Sequence, residues 1–293
     1  MPTYLERLGS RIAERRTVLC LGLDPDPASI PASFGEGLPA IERFSAVVVE
    51  AAAPYAAALK ANLAFFEAYG SDGLAVLERL RARLDPGLPL IVDAKRGDIG
   101  STAARQAMAL FDRLGADAVT VSPYLGAEAI EPLLSRSDRF AYVLCRTSNP
   151  GAGELQDLVV AADPGRNEPE ERLHERVARR ASAWSQRFGT VGLVVGATAP
   201  HELANLRKIS PELPFLVPGV GAQGGDLQAA LLSGPATAGA ARNIAGGALL
   251  VNVSRGIGAA ATDAPDAAEA IEAAARDWSA KLAVIQSGPG SGT

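Results

Sequence analysis

Short apolar runs alternate with longer, helically spaced stretches along the 293 residues of the chain. The apolar runs at 18–23, 56–60, 88–93, 118–121, 141–144, 192–195, 215–217 and 248–251 read as strands. Between them, stretches such as 74–84, 103–114, 173–188 and 226–232 carry the helical period. Strand–helix alternation predicts a parallel sheet covered by helices, and eight units predict closure into an α/β fold of the (β/α)8, or TIM, barrel type. A doubly wound open sheet is the alternative, but it normally uses fewer or reordered strands.

The predicted strands run into Asp24, Asn62, Lys95, Ser122, Thr147, Thr198, Gly219 and Ser254. Polar groups therefore gather just past the carboxyl ends of the strands, the face of a barrel that carries chemistry. No linker interrupts the pattern, so residues 1–286 read as one barrel domain and 287–293, rich in Gly and Ser, as a disordered tail. Residues 24–39 and 149–171 read as long loops after the first and fifth strands, the latter a candidate lid.

Composition narrows the function classes. The chain is 48% hydrophobic and 21% charged, which suits a large core. A net charge of -5 offers no general attraction to nucleic acid. Residues 1–16 hold charges and no apolar h-region, and no run approaches a membrane span, so a cytoplasmic location is expected. Cys20 and Cys145, each in an apolar run, read as buried thiols in a reducing compartment. His174 and His201, among charged neighbours, read as surface residues, and no cluster has metal-ligand spacing.

The sharpest chemical signal is Asp93-Ala94-Lys95-Arg96-Gly97-Asp98, where an apolar strand ends directly in charge. Residues two apart in a strand share a side, so Asp93 and Lys95 point together. A lysine crowded by carboxylates in a partly dry pocket marks a functional site more often than a surface ion pair. Lys60 reads either as a surface lysine or as a cation facing Asp93 across the mouth, and Asp24, before Pro25, equally as a turn former. After the seventh strand comes Pro218-Gly219-Val220-Gly221, with Gln223 beyond, and after the eighth comes Arg255. Those two loops form the common phosphate site of such barrels, and Arg255 would supply a forked cation.

Together these residues resemble the orotidine 5′-phosphate decarboxylase family. Its pattern Asp-x-Lys-x-x-Asp-Ile-x-x-Thr is met by Asp93, Lys95, Asp98, Ile99 and Thr102. Leu21-Gly22-Leu23-Asp24, Leu59-Lys60-Ala61-Asn62, Ser122-Pro123, the Pro218–Gly221 stretch with Gln223, and Arg255 also match, in order from 21 to 256, most closely to the longer bacterial branch. The resemblance implies that Lys95 protonates C6 of the pyrimidine as CO2 leaves, with Asp93 near the departing carboxylate in a Lys60–Asp93–Lys95–Asp98 array. It implies that Asp98 and Thr102 reach into a second subunit's site, so the partner is another copy of the chain in a homodimer. Asp24 and Lys60 would hold ribose hydroxyls, Ser122 the base, and Gln223 and Arg255 the phosphate, with Pro218 among the substrate-binding positions. No cofactor is implied, and the product is uridine 5′-phosphate, closing de novo pyrimidine synthesis.

Two rivals remain at this point. One is a Mg²⁺-dependent sugar-phosphate barrel of the same superfamily, which would carry an acidic ligand where Lys60 stands. The other is a barrel that binds a nucleotide phosphate without catalysis.

Overall fold

A computed structural model describes residues 2–221 and 223–284. The tail expected at 287–293 and the last residues of the expected domain lie outside them. All eight strands form: β1 Leu19–Leu23, β2 Ala58–Asn62, β3 Leu90–Arg96, β4 Ala118–Val121, β5 Phe140–Arg146, β6 Val191–Val195, β7 Phe215–Val217 and β8 Leu250–Val253. They pair in parallel in chain order, and β1 pairs with β8 to close the barrel. The open-sheet alternative is thereby excluded.

Side chains alternate across the barrel wall with period two. Leu59 and Ala61 of β2 and Leu90, Val92 and Ala94 of β3 point outward to the helices. Cys20, Ala58, Ile91, Ala118, Tyr142, Val194, Leu216 and Leu250 point inward and fill the barrel axis. Both cysteines are buried free thiols, as expected, and burial pushes the Cys20 pKa up to about 12.

Residues 1–16, read from sequence only as a charged stretch, contain the helix Tyr4–Arg15. Thr3 caps it and Glu6 returns a bond to the Thr3 N–H at 2.7 Å, satisfying two orphan donors. Its apolar face, Tyr4, Leu8 and Ile12, is fully buried against the amino ends of the strands. The Tyr4 ring stacks on Phe140 with centroids 4.9 Å apart, and its hydroxyl lies 3.1 Å from that of Tyr142. Gly192 makes room for this aromatic plug: a Cβ there would lie 2.9 Å from both the Phe140 and Tyr142 rings.

Three expectations need correction. First, β2, β3 and β8 each begin two residues later than read. For β8 the cause is a turn in which Gly246, Gly247 and Ala248 all take positive φ, so the strand cannot start at Ala248 as read. Second, His174 is buried, not at the surface: only 1% of it is exposed. Its Nδ1 lies 2.8 Å from the Gln156 carbonyl, beneath the segment after β5. Third, that segment is not bare loop. It holds the short helix Gly153–Gln156 and a two-stranded ribbon, Val159–Val160 with Glu171–Arg172. Buried Glu168 and Glu171 tie it to Arg176, Arg179 and Arg180 of the helix Leu173–Phe188. His201 is exposed, as expected. No helix of the described residues is long and apolar enough to cross a membrane.

The plug lies at the end opposite the polar strand termini, so stability and chemistry separate along the axis. Tyr4→Ala should lower unfolding free energy by about 3 kcal/mol or more, as aromatic truncations in cores do, measured by urea titration. Ligand affinity of the folded variant should stay unchanged. A loss below about 1 kcal/mol would mean the plug contributes little.

Candidate active site

On β2, β3 and β4 the inward side stays apolar through the barrel axis and turns polar towards the carboxyl end. On β2 the inward series is Ala58, Lys60, Asn62; on β3 it is Ile91, Asp93, Lys95; on β4 it is Ala118, Thr120. These polar residues line a cavity of about 310 Å³ at the carboxyl mouth, a size suited to a small ligand. Opposite them, Leu144, Val194 and Leu216 give the same cavity an apolar wall. Lys60 lies in mid-strand, paired in register with Gly22 and Ile91, rather than at a strand end. Its side chain is only 6% exposed, so it is no surface lysine.

Asp93 sits between two ammonium groups. Lys60 Nζ lies 2.9 Å from its Oδ2, and Lys95 Nζ lies 2.6 Å from its Oδ1. Burial disfavours the ionised carboxyl, but the charges of Lys60 and Lys95 outweigh burial and hold Asp93 well below the usual carboxylate range. Burial likewise opposes the Lys60 ammonium, and the charges of Asp93 and Asp24 outweigh it, raising the Lys60 pKa above the usual lysine value. Each buried charge is therefore kept by its partners.

The β3–β4 register shifts between Val92 and Arg96, and within this irregularity Lys95 takes φ +50. A non-glycine residue in that region is uncommon and costs energy. Here it keeps the Lys95 ammonium at the mouth, with its side chain 51% exposed towards the cavity opening.

The distal wall comes from the loops after β7 and β8. Gly219 at φ +97 turns the chain, and its carbonyl accepts the Gly225 N–H at 3.0 Å, folding the loop on itself. Pro218, Gly219, Val220 and Gln223 face Ser254, Arg255 and Gly256 across the cavity. Arg255 forms no ion pair among the described residues. Asp24 Oδ1 and Asn252 Oδ1 are buried on the cavity wall without hydrogen-bond partners. Such orphaned acceptors are costly unless a ligand donor meets them.

Of the residues singled out in the sequence, Asp24, Lys60, Asp93, Lys95, Pro218, Gln223 and Arg255 converge on this cavity. Asp98, Thr102 and Ser122 are not among its lining residues. Asp98 accepts the Ile99 N–H at 2.7 Å and donates its own N–H to the Ala129 carbonyl, and Thr102 follows in the helix Gly100–Ala107. Ser122 donates its N–H to Arg96. The sequence reading did not identify Thr120, Ser148 and Asn252, all in the lining. Ser148 Oγ donates to Gln223 Oε1 at 3.1 Å, bridging the fifth and seventh loops. Its signal was present, since it directly follows Thr147, a flagged strand terminus.

Comparison with known proteins agrees with this fold. The model of the orotidine 5′-phosphate decarboxylase / HUMPS family matches residues 17–271. The orotidine 5′-phosphate decarboxylase of Thermomicrobium roseum is 49% identical over 255 residues, 87% of this chain and 86% of the relative. That of Roseiflexus castenholzii is 48% identical over 253 residues, 86% of this chain and 87% of the relative. The solved Leishmania donovani OMP decarboxylase is 36% identical, with TM-score 0.77, covering 96% of this chain and 99% of its own. By sequence and by fold, the chain belongs to the orotidine 5′-phosphate decarboxylase / HUMPS family.

Proposed function

We propose the following division of labour for the reaction of this chain, decarboxylation of orotidine 5′-phosphate to uridine 5′-phosphate and CO2 in pyrimidine synthesis. The observation that carries it is the half-buried Asp93 carboxylate clamped between Lys60 and Lys95 in the cavity wall. The substrate lies with its phosphate at Gln223 and Arg255 and its C6 carboxylate at the Asp93–Lys95 end. The C6–carboxylate bond breaks, the electron pair stays on C6, and a proton from Lys95 Nζ forms the new C6–H bond. The amine then regains a proton from water. No electron sink lies next to C6, so a fixed ammonium aimed at the developing charge is the principal stabilising device. Asp93 opposes the substrate carboxylate more than the transition state, whose charge moves away.

The orphaned oxygens of Asp24 and Asn252 suit donation from ribose hydroxyls, with Lys60 beside them. Leu144, Val194 and Leu216 suit a pyrimidine face, and Ser148, rather than Ser122, is in reach of the base edge. The phosphate lies remote from the bond that breaks, so its binding energy can organise the site. The chain works without a cofactor. The Mg²⁺-dependent alternative is disfavoured by donor chemistry: Lys60 stands where an acidic ligand is expected, its ammonium is already on Asp93, and the described residues hold no cluster of three metal-binding side chains.

The functional unit is a homodimer in which Asp98 and Thr102 complete the neighbouring site. Support comes from their absence from their own cavity and from nearby exposed apolar groups, Ile99 at 65%, Tyr124 at 81% and Leu125 at 49%. A buried pair of free thiols is consistent with work in the cytoplasm.

The ultraviolet absorbance of orotidine 5′-phosphate should change on incubation with the purified protein. Lys95→Ala should slow that change at least about a hundredfold, the usual scale for a general acid, while still binding uridine 5′-phosphate. A near-normal rate in the variant would remove Lys95 from its role, and no change with the wild type would favour a non-catalytic binder. Mixing Lys60→Ala with Asp98→Ala protein should restore part of the activity, because one site of each mixed dimer escapes both substitutions; mixed dimers without activity would refute the shared site.

The charge array also sets a pH window. Asp93 titrates lower when folded, so its contribution to stability is complete above about pH 4, the ordinary carboxylate value, and is lost as pH falls through its folded value. Lys60 titrates higher when folded, so its contribution is complete below about pH 10 and is lost as pH rises through its folded value. Asp93→Asn should therefore be less stable by roughly 3 kcal/mol, as when one partner of a buried pair is removed. That gap should hold between about pH 5 and 8 and narrow below about pH 4. Urea titrations that show it changing across the neutral range would contradict the clamp.

A further inference from the structure

We propose that Thr120 is a positioning residue that fixes both Asp93 and Lys95 through a single hydroxyl; this rests on the roles given above to those two residues. Thr120 lies on the inward face of β4, is only 1% exposed, and borders the cavity. Its Oγ1 accepts the backbone N–H of Lys95 at 3.0 Å and donates to Asp93 Oδ1 at 2.8 Å.

The direction of each bond is forced. A backbone N–H can only donate, so the hydroxyl accepts from Lys95. An ionised carboxylate can only accept, so the one hydroxyl proton goes to Asp93. Asp93 Oδ1 then accepts a second bond from Lys95 Nζ at 2.6 Å. The bonds form a ring that leaves Lys95 through its main chain, passes through Thr120 and Asp93, and returns to Lys95 through its side chain.

That ring sits where the β3–β4 ladder breaks. Between the Val92 and Arg96 pairs the register shifts, and Lys95 at φ +50 departs from regular strand geometry before Arg96 pairs again with Val121. The Thr120 hydroxyl takes the place of a ladder carbonyl for the Lys95 N–H. It thereby supports the left-handed conformation that carries the ammonium to the cavity, and it holds the carboxylate against rotating away. A β-branched side chain suits the task, because χ1 is stiff and the hydroxyl stays aimed. Lys60 grips the other oxygen, Oδ2, so each carboxylate oxygen has its own fixed donors. Nothing in the ring depends on ligand, so the array is set before substrate arrives.

The test compares Thr120→Val, which keeps the shape and removes both bonds, with Thr120→Ser, which keeps both. The readouts are kcat and KM for orotidine 5′-phosphate and affinity for uridine 5′-phosphate, with circular dichroism to confirm folding. Thr120→Val should lower kcat by about tenfold to a hundredfold, the worth of a hydrogen bond to a charged group, with product affinity held within about threefold. Thr120→Ser should keep most of the wild-type kcat. If Thr120→Val does not fold, Thr120→Ala against Thr120→Ser makes the same comparison. A wild-type kcat in the hydroxyl-free variant overturns the proposal, as does a serine variant equally slow. A loss of product affinity matching the loss of kcat also overturns it, since it would mark a merely structural residue. Lys95→Ala, run in the same assay, separates this outcome from failure of the underlying roles: if it turns over normally, the assignment of Lys95 falls whatever Thr120 does.

Discussion

One ionised carboxylate, Asp93, held between two ammonium groups is the interaction on which the rest of this structure depends. Burying any one of these charges alone would be costly, and removing one partner would leave the others uncompensated. Lys60 keeps its proton because Asp93 and Asp24 are near, and Asp93 keeps its charge because both lysines are near. The three residues come from the inward faces of two adjacent strands, β2 and β3, with Thr120 from β4 completing the contacts. Side-chain alternation on two paired parallel strands places them together on the inner face without a loop between.

The same alternation divides the barrel lengthwise. At the amino end, Tyr4, Phe140 and Tyr142 form a dry aromatic plug. In the middle, aliphatic and small side chains fill the axis. One step further along β2, β3 and β4 the inward positions become polar, and the cavity begins. The apolar part below gives the charge array a rigid, low-dielectric base, which strengthens electrostatic action at the mouth. Local conformational cost concentrates at Lys95, in the ladder break, where the chain gives up regular pairing to aim a side chain.

Much of this was legible in the sequence, for identifiable reasons. Eight apolar runs between helical stretches require burial on both faces, and that pattern predicts the barrel directly. Asp93 and Lys95 were legible because an apolar strand ending in charge has few structural explanations. Lys60 was ambiguous because its importance lies in a neighbour across a strand pair, Asp93, a contact no local pattern contains. Thr120 was hidden inside an apolar run, where a single hydroxyl looks like a strand-compatible filler. His174 was misread because its charged neighbours describe the helix surface, while the chain segment that covers it folds back from 18 residues earlier in sequence. Asp98 was marked by its place just past the charged strand end and Thr102 by motif alone, and neither lines the cavity of its own chain.

The most direct test of the central claim is a pair of crystal structures of this protein, without ligand and with uridine 5′-phosphate bound. We expect the Lys60–Asp93 and Lys95–Asp93 contacts to be the same in both, with Lys95 Nζ within hydrogen-bonding reach of C6 and the phosphate on Arg255. A nucleotide seated with its phosphate at the lysine end, or a Lys95 side chain turned off Asp93 and away from C6, would contradict it.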